Sequence, residues 1–130
     1  MKILLAEDDF STRKYMMDFL ARYGACDVVV DGMEAIDAYL MAWEEDDPYD
    51  LICLDVMMPL MDGYQVLQNI RSMEQDRGIV EDERVKIIMT TALNDNENVE
   101  MAFDLGCTAY SGKPLDQDKF ELALKKIGLI

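Results

Sequence analysis

Histidine is absent from this 130-residue chain. Its absence excludes catalysis by a histidine nucleophile or base, a metal site with histidine ligands, and a role as a phosphohistidine carrier. Cysteine is scarce: the three cysteines, Cys26, Cys53 and Cys107, are widely spaced and form no CxxC pair. We interpret them as buried, reduced thiols. A metal site in this chain would therefore use oxygen ligands.

Positive charge and long apolar runs are also scarce. The chain has 12 Lys and Arg residues and 27 Asp and Glu residues, which gives a net charge of −15. Such a surface disfavours nucleic acid and anionic membrane, whose phosphates need Lys and Arg, and it favours a cationic partner or a metal ion. The apolar run at residues 3–6 is shorter than the ~7–15 residues of a signal peptide or the ~20 of a membrane span. We therefore expect a cytoplasmic protein without membrane insertion.

Short apolar runs alternate with longer amphipathic stretches along the chain. The length fits one domain over residues 1–130. The alternation predicts an α/β fold, with a five-stranded parallel sheet in the order 2-1-3-4-5 flanked by five helices. The predicted strands cover residues 2–6, 26–30, 50–55, 84–92 and 107–112, and the predicted helices cover 11–24, 32–47, 63–75, 94–106 and 116–128. The connection over residues 74–83 is interpreted as a solvated acidic loop.

Acidic residues follow two of the predicted strands. Glu7, Asp8 and Asp9 come after the first strand, and Asp55 ends the third. In the predicted order these strands are neighbours at the switch point, so we expect Asp8, Asp9 and Asp55 to meet there. Each acid alone is ordinary, since acids at strand ends often cap the next helix. Together they would repel one another unless a cation neutralised them, and oxygen ligands of this kind suit Mg²⁺.

Two further polar residues end neighbouring strands. Thr91 closes the fourth strand, and Lys113 follows the fifth. Beside Mg²⁺, Asp55 can act as a nucleophile toward phosphorus, while Lys113 and Thr91 meet the phosphoryl oxygens. The spacing predicts a phosphoryl-transfer site with Asp55, Thr91 and Lys113 as its catalytic residues.

The ordered motifs resemble those of response-regulator receiver domains of two-component signalling, in particular stand-alone chemotaxis regulators. They are EDD after the first strand, LDVMMPLMDG around Asp55, IIMTTA at the fourth strand and GCTAYSGKP at the fifth. The resemblance spans nearly the whole chain and implies a flavodoxin-like fold. It also implies a signalling domain rather than an enzyme, although one that assists its own phosphorylation and dephosphorylation at Asp55.

The resemblance implies a role for individual residues. Asp55 is the phosphoacceptor, and Thr91 and Lys113 contact the phosphoryl group. The implied Mg²⁺ ligands are Asp8, Asp9, Asp55 and the backbone carbonyl of Met57. The implied switch pair is Thr91 and Tyr110, and the Lys113–Pro114 bond is expected to be cis. In the family that this chain resembles, the positions two residues after the phosphoacceptor and after the threonine can influence the attacking water. Here these positions are the apolar residues Met57 and Leu93, so our hypothesis is that neither orients water and that the phosphoryl group is long-lived.

The implied partners are proteins. The donor would be a sensor histidine kinase or a phosphotransfer protein, and a downstream protein target would bind the face of helix four, strand five and helix five. With no output domain in the sequence, we expect output by protein contact, from a monomer or a phosphorylation-induced dimer. One alternative is a pseudo-receiver, an interaction module that never takes phosphate. Another is an aspartyl-nucleophile phosphohydrolase, which would need a second acid where Met57 stands.

Overall fold

The computed structural model describes residues 1–92, 96–113 and 115–130, in which strands and helices alternate. The strands are β1 (Lys2–Ala6), β2 (Ala25–Val29), β3 (Leu51–Asp55), β4 (Lys86–Thr91) and β5 (Ala109–Gly112). The helices are α1 (Phe10–Leu20), α2 (Gly32–Glu44), α3 (Gly63–Asp76), α4 (Asn96–Asp104) and α5 (Gln117–Lys126), and a short 3₁₀ helix spans Glu81–Glu83. Among the described residues, none of the helices combines the length and apolar composition that crossing a bilayer requires.

All five strands pair in parallel in one sheet, in the order β2-β1-β3-β4-β5. This confirms the predicted fold class and strand order. The central strand β3 is buried along its whole length, although it ends in the charged residue Asp55. A parallel sheet of this kind is covered by helices on both faces, so its polar residues collect at the strand ends.

The two faces of the sheet carry separate cores because successive strand residues point to opposite sides. Leu4 and Ala6 of β1 belong to a core with residues of α2 and α3. Ile3 and Leu5 belong to a second core with residues of α1 and α5. The face of every strand residue near the carboxyl edge can be assigned from this alternation.

Aspartates start four of the helices. The residues Asp9, Asp31, Asp62 and Asp116 each accept a hydrogen bond from a backbone N–H in the first turn. The sequence predicted the first helix over residues 11–24, and its predicted start was wrong, because the carboxylate of Asp9 caps the helix and α1 begins at Phe10. The predicted end at Gly24 was wrong as well, since α1 ends at Leu20.

The amino end of the sheet contains a buried carboxylate in the segment that was predicted to be a solvated loop. Glu74 lies inside α3 and is 1% exposed. It accepts hydrogen bonds from the Arg71 guanidinium at 2.6 Å and from the Val85 backbone N–H at 2.8 Å. Arg71 also donates to the Gly106 carbonyl at 2.8 Å. This carboxylate therefore ties α3 to the start of β4 and, through Arg71, to the turn after α4.

Candidate functional site

Three carboxylates meet at the carboxyl edge of the sheet. Glu7 and Asp8 directly follow β1, and Asp55 is the last residue of β3. The register pairs Ala6 with Leu54, so Glu7 lies level with Asp55 on the neighbouring strand. One oxygen from each of Glu7, Asp8 and Asp55 lies within 4.8 Å of the others. The strand pairing itself therefore creates this acidic cluster.

Lys113 contacts two of these acids from the end of β5. Its Nζ atom lies 2.6 Å from Glu7 Oε1 and 3.4 Å from Asp55 Oδ2. Glu7 is fully buried and Asp55 is 4% exposed, so water contributes little to the solvation of either charge. The backbone N–H of Lys113 donates to the Thr91 carbonyl at 2.8 Å, which fixes the lysine next to β4. The single ammonium group of Lys113 thus forms ion pairs with two buried carboxylates.

The charge balance of the cluster shifts the pKa of Asp55. Burial, followed by the hydrogen bond and the charge of Glu7, raises the pKa of Asp55 to about 7, although Lys113 acts in the opposite direction. Burial would lower the pKa of Lys113, but its contacts with Glu7 and Asp55 outweigh that effect and raise it. A divalent cation would relieve this crowding, and the donor set consists of oxygens alone, so the residues fit Mg²⁺.

The structure does not bring Asp9 into the cluster, although the resemblance assigned it to the metal. Its Oδ2 atom accepts from the Thr12 backbone N–H at 2.9 Å and from the Thr12 hydroxyl at 2.7 Å. These bonds to Thr12 lower the pKa of Asp9. Its backbone N–H donates to Glu7 Oε2 at 3.2 Å. The carboxylate of Asp9 thus caps α1, and Glu7 takes the place in the cluster that was predicted for Asp9.

The pairing of β1 with β3 explains why Glu7 was missed as a member of the acidic cluster. The sequence shows Glu7 among the acids after β1, but the motif alone does not say which two of three successive acids meet Asp55. Ile3 and Leu5 share a face with Cys53, and continuing the alternation puts Glu7 and Asp55 on that same face. Once the register of β1 and β3 is known, counting alternate residues along both strands identifies Glu7.

Thr91 and Tyr110 lie on adjacent strands beside the cluster. Thr91 is fully buried, is the last residue of β4 and pairs in register with Gly112. Tyr110 pairs with Met89 and packs partly buried against the core that includes α2 and α3. Their predicted roles in phosphoryl contact and switching stay predictions.

The loop after Asp55 is anchored by its backbone. The Met57 N–H lies 3.4 Å from Asp55 Oδ1, and its side chain is 65% exposed. Met58 packs partly buried against the core, and the Gly63 N–H donates to the Val56 carbonyl at 2.9 Å. A Cβ atom on Gly63 would collide with the Asp55 carbonyl, so glycine is required there. The Met57 carbonyl as a metal ligand stays a prediction.

Two expectations concern residues outside the described part of the chain. These are the cis bond before Pro114 and the apolar side chain of Leu93. Asp55, Lys113 and Thr91 all lie within the described part, at the ends of β3, β5 and β4. Of these three, Asp55 and Lys113 are in direct contact.

The sequence matches a known family over most of its length. A family model described as "Response regulator receiver domain" matches residues 3–125. The regulatory protein VanRB of Enterococcus faecalis (strain ATCC 700802 / V583) is 34% identical over 128 residues, which cover 97% of this chain and 50% of that relative. The matched region covers 12% and 44% of the length of two further curated relatives. The chain therefore spans less than two thirds of each of these three relatives.

Solved structures similar to this chain include two with Mg²⁺. The crystal structure of the CheX-CheY-BeF3-Mg complex from Borrelia burgdorferi matches with a TM-score of 0.82 and 26% identity, over 98% of this chain and 88% of that chain. The receiver domain of sensor histidine kinase PA1611 from Pseudomonas aeruginosa PAO1, with a magnesium ion in its active site cleft, matches with a TM-score of 0.77 and 28% identity. This match covers 98% of this chain and 97% of that chain.

Proposed function

This chain belongs to the response regulator receiver domain family of two-component signalling, and on that basis we propose that it is a phosphorylation switch with Asp55 as phosphoacceptor. The observation that carries the proposal is the meeting of Glu7, Asp8, Asp55 and Lys113 at one edge of the sheet. A pseudo-receiver would be expected to lack one of these groups. A phosphohydrolase of the aspartate type would need a second acid at Met57.

Mg²⁺ is the proposed cofactor, and Glu7, Asp8 and Asp55 would bind it together with the Met57 carbonyl. The relatives of similar structure that contain Mg²⁺ support this assignment, as does the oxygen-only donor set. When bound, Mg²⁺ neutralises charge on the acids and on the transferring phosphoryl group. The proposed set keeps Asp8 and Asp55 from the sequence prediction and replaces Asp9 with Glu7.

The phosphoryl group would come from another protein. This chain has no histidine, so the donor is a sensor histidine kinase or a phosphotransfer protein that carries a phosphohistidine. A carboxylate oxygen of Asp55 attacks the phosphorus, the phosphorus–nitrogen bond breaks, and its electron pair leaves with the donor imidazole. Lys113, now shared between Glu7 and Asp55, contacts a phosphoryl oxygen, and the Thr91 hydroxyl contacts another.

The proposed output is a change in the surface of α4, β5 and α5. Thr91 moves toward the phosphoryl group, and Tyr110 fills the space beside it. A shift of a two-state equilibrium from 1:99 to 99:1 needs roughly 5.5 kcal/mol of differential stabilisation. The new contacts of Lys113 and Thr91 with the phosphoryl group supply part of this. A downstream protein would then bind this face, either on a monomer or on a phosphorylation-induced dimer.

The test is incubation of the chain with Mg²⁺ and acetyl phosphate, followed by measurement of intact mass. We expect the gain of one phosphoryl group in the wild-type chain and none in Asp55→Asn. Asp62→Asn is a matched control. Position 62 lies in the loop that follows Asp55, and asparagine caps a helix as well as aspartate does.

Three results would contradict the proposal in different ways. No gain of mass in the wild-type chain would favour the pseudo-receiver. Retained gain in Asp55→Asn would place the phosphoryl group on another residue. Continuous release of phosphate from unrelated esters would favour the phosphohydrolase.

A further inference from the structure

Helix α4, which belongs to the proposed output surface, is held to the rest of the protein by little burial. The helix lies wholly within the described part of the chain, and Ala102 is its only buried residue. Helix α3, in contrast, has five buried residues. Because apolar burial is the main favourable term in packing, single hydrogen bonds matter more for the position of α4 than for that of α3. Side chains of α3 supply a hydrogen bond near each end of α4.

The hydrogen bond near the start of α4 joins this helix to the loop of the site. The Tyr64 hydroxyl donates to Asn98 Oδ1, in the first turn of α4, at 2.9 Å. Tyr64 directly follows Gly63, whose N–H donates to the Val56 carbonyl at 2.9 Å. Gly63 also packs so closely against the Asp55 carbonyl that a Cβ atom would collide with it. The backbone of Tyr64 is therefore fixed relative to the phosphoacceptor.

The hydrogen bond at the end of α4 belongs to the buried network at the amino end of the sheet. Arg71 Nε donates to the carbonyl of Gly106, in the turn after α4, at 2.8 Å. The same guanidinium is bound to Glu74 at 2.6 Å, and Glu74 is 1% exposed. Moving Arg71 away would leave a buried carboxylate without its charged partner, which is strongly unfavourable. The end of α4 is therefore anchored more firmly than its start.

The start of α4 is also the end that follows Thr91 in the chain. Thr91 closes β4, and α4 begins at Asn96. The proposed movement of Thr91 toward the phosphoryl group therefore acts on the start of the helix, while Tyr64 stays with the loop of the phosphoacceptor. A hydrogen bond weakens steeply when its length and angle leave a narrow range. The bond between Tyr64 and Asn98 is thus the contact of α4 most sensitive to this movement.

We propose that the Tyr64–Asn98 hydrogen bond is a latch that holds α4 in its unphosphorylated position. When the latch opens, α4 turns about its anchor at Arg71 and Gly106. Tyr64 and Asn98 are positioning residues, since they act through α4 and not on the phosphoryl group. A contact made in only one of two states favours that state by its own free energy, so the latch favours the unphosphorylated state. This inference rests on the proposed function and adds to it the contact that sets the resting position of the output surface.

The test uses beryllium fluoride with Mg²⁺ as the probe on the full chain, because it mimics a phosphoryl group on a carboxylate. Tyr64→Phe removes only the hydroxyl, so the unliganded state loses the latch and the bound state loses nothing. We expect this variant to bind the probe roughly fivefold more tightly than wild type and to melt at a lower temperature without the probe. In an Asn98→Ala background, Tyr64→Phe should change probe binding by less than about twofold, because the bond is already absent there.

Amide resonances measured by NMR show which end of α4 moves. In the wild-type chain, the probe should shift the backbone resonance of Asn98 more than that of Gly106. In unliganded Tyr64→Phe, the Asn98 resonance should lie part of the way toward its position in the probe-bound wild type, because the latch sets the populations of the two states. A purely structural hydrogen bond would give no shift along this direction.

Tyr49→Phe is the matched control, because it also removes a tyrosine hydroxyl that is bonded in the unliganded chain. The Tyr49 hydroxyl donates to Asp27 Oδ2 at 2.7 Å, and Asp27 lies on β2, at the sheet edge opposite β5. Its loss should lower the melting temperature and leave probe binding unchanged.

Four results would contradict the latch. Equal probe binding by Tyr64→Phe and wild type would overturn it, as would a full gain from Tyr64→Phe in the Asn98→Ala background. A probe-induced shift larger at Gly106 than at Asn98 would overturn the anchor at the end of α4. These three results leave the proposed function intact if acetyl phosphate still adds mass to the wild-type chain. A wild-type chain that neither binds the probe nor gains mass would overturn both the latch and the proposed function.

Discussion

Buried carboxylates lie at both ends of the sheet, and they differ in how their charges are balanced. At the amino end, Glu74 has the Arg71 guanidinium at 2.6 Å and the Val85 N–H at 2.8 Å, one for each oxygen. At the carboxyl end, Glu7 and Asp55 share Lys113, and the contact to Asp55 is 3.4 Å long. The amino end is therefore balanced within the protein, whereas the carboxyl end carries excess negative charge.

This difference separates a carboxylate that stabilises the fold from the carboxylates of the proposed site. Glu74 joins elements of the fold and leaves no charge for a ligand. Glu7, Asp8 and Asp55 repel one another, and a cation or a phosphoryl group with its cation changes that balance. Burial alone does not distinguish the two ends, because Glu74, Glu7 and Asp55 are all less than 5% exposed. The partners of each oxygen distinguish them.

The largest effect on stability is expected at the amino end. Glu74→Ala leaves the Arg71 guanidinium with its bond to the Gly106 carbonyl but without its carboxylate partner, and it leaves the Val85 N–H without its acceptor. We expect a loss of about 3 kcal/mol of unfolding free energy. Urea unfolding monitored by circular dichroism measures this. Mg²⁺ affinity of the folded variant should stay at the wild-type value, and a parallel fall in Mg²⁺ affinity would show that the two ends are not independent.

At the carboxyl end, the choice between Glu7 and Asp9 as metal ligand gives the next effect. Glu7→Gln removes a charged ligand, so Mg²⁺ affinity measured by calorimetry should fall by roughly tenfold or more. Asp9→Asn keeps the helix cap and should change Mg²⁺ affinity by less than about twofold. The reverse order of the two variants would restore the assignment of Asp9 to the metal.

The pKa of Asp55 makes Mg²⁺ binding depend on pH. Because burial and Glu7 raise this pKa to about 7, protons compete with the metal below neutral pH. We expect Mg²⁺ affinity to fall by roughly tenfold between about pH 8 and about pH 6. In the metal-free chain the raised pKa stabilises the fold at low pH, and this contribution is lost as the pH rises through about 7. Asp55→Asn should lack both dependences, and a flat wild-type profile of Mg²⁺ affinity would contradict this assignment.

The smallest expected effect concerns the exposed loop of the site. The thioether of Met57 is only a weak hydrogen-bond acceptor, so on our hypothesis it does not orient water, and Met57→Asn should shorten the lifetime of the phosphoryl group by about a few-fold. The decay of phosphorylated protein after removal of the donor measures this lifetime. Met61→Asn, in the same loop but further from Asp55, is the control. An unchanged or longer lifetime in Met57→Asn would count against the role of Met57.

The sequence predicted the sheet order and the central position of Asp55, because alternating apolar runs and helix periods reflect burial directly. It could not decide which acids after β1 meet Asp55, since that depends on strand register and on the use of Asp9 as a helix cap. It also could not identify Glu74 as buried, because its partners Arg71 and Val85 meet it only in three dimensions.

The most direct test of excess negative charge at the carboxyl end is the melting temperature of wild type and Asp55→Asn, each with and without Mg²⁺ at about pH 8, where Asp55 is ionised. We expect Mg²⁺ to raise the melting temperature of the wild-type chain, and we expect metal-free Asp55→Asn to melt higher than metal-free wild type and to respond little to Mg²⁺. A wild-type chain that does not respond, or an Asp55→Asn variant that responds equally, would contradict the account.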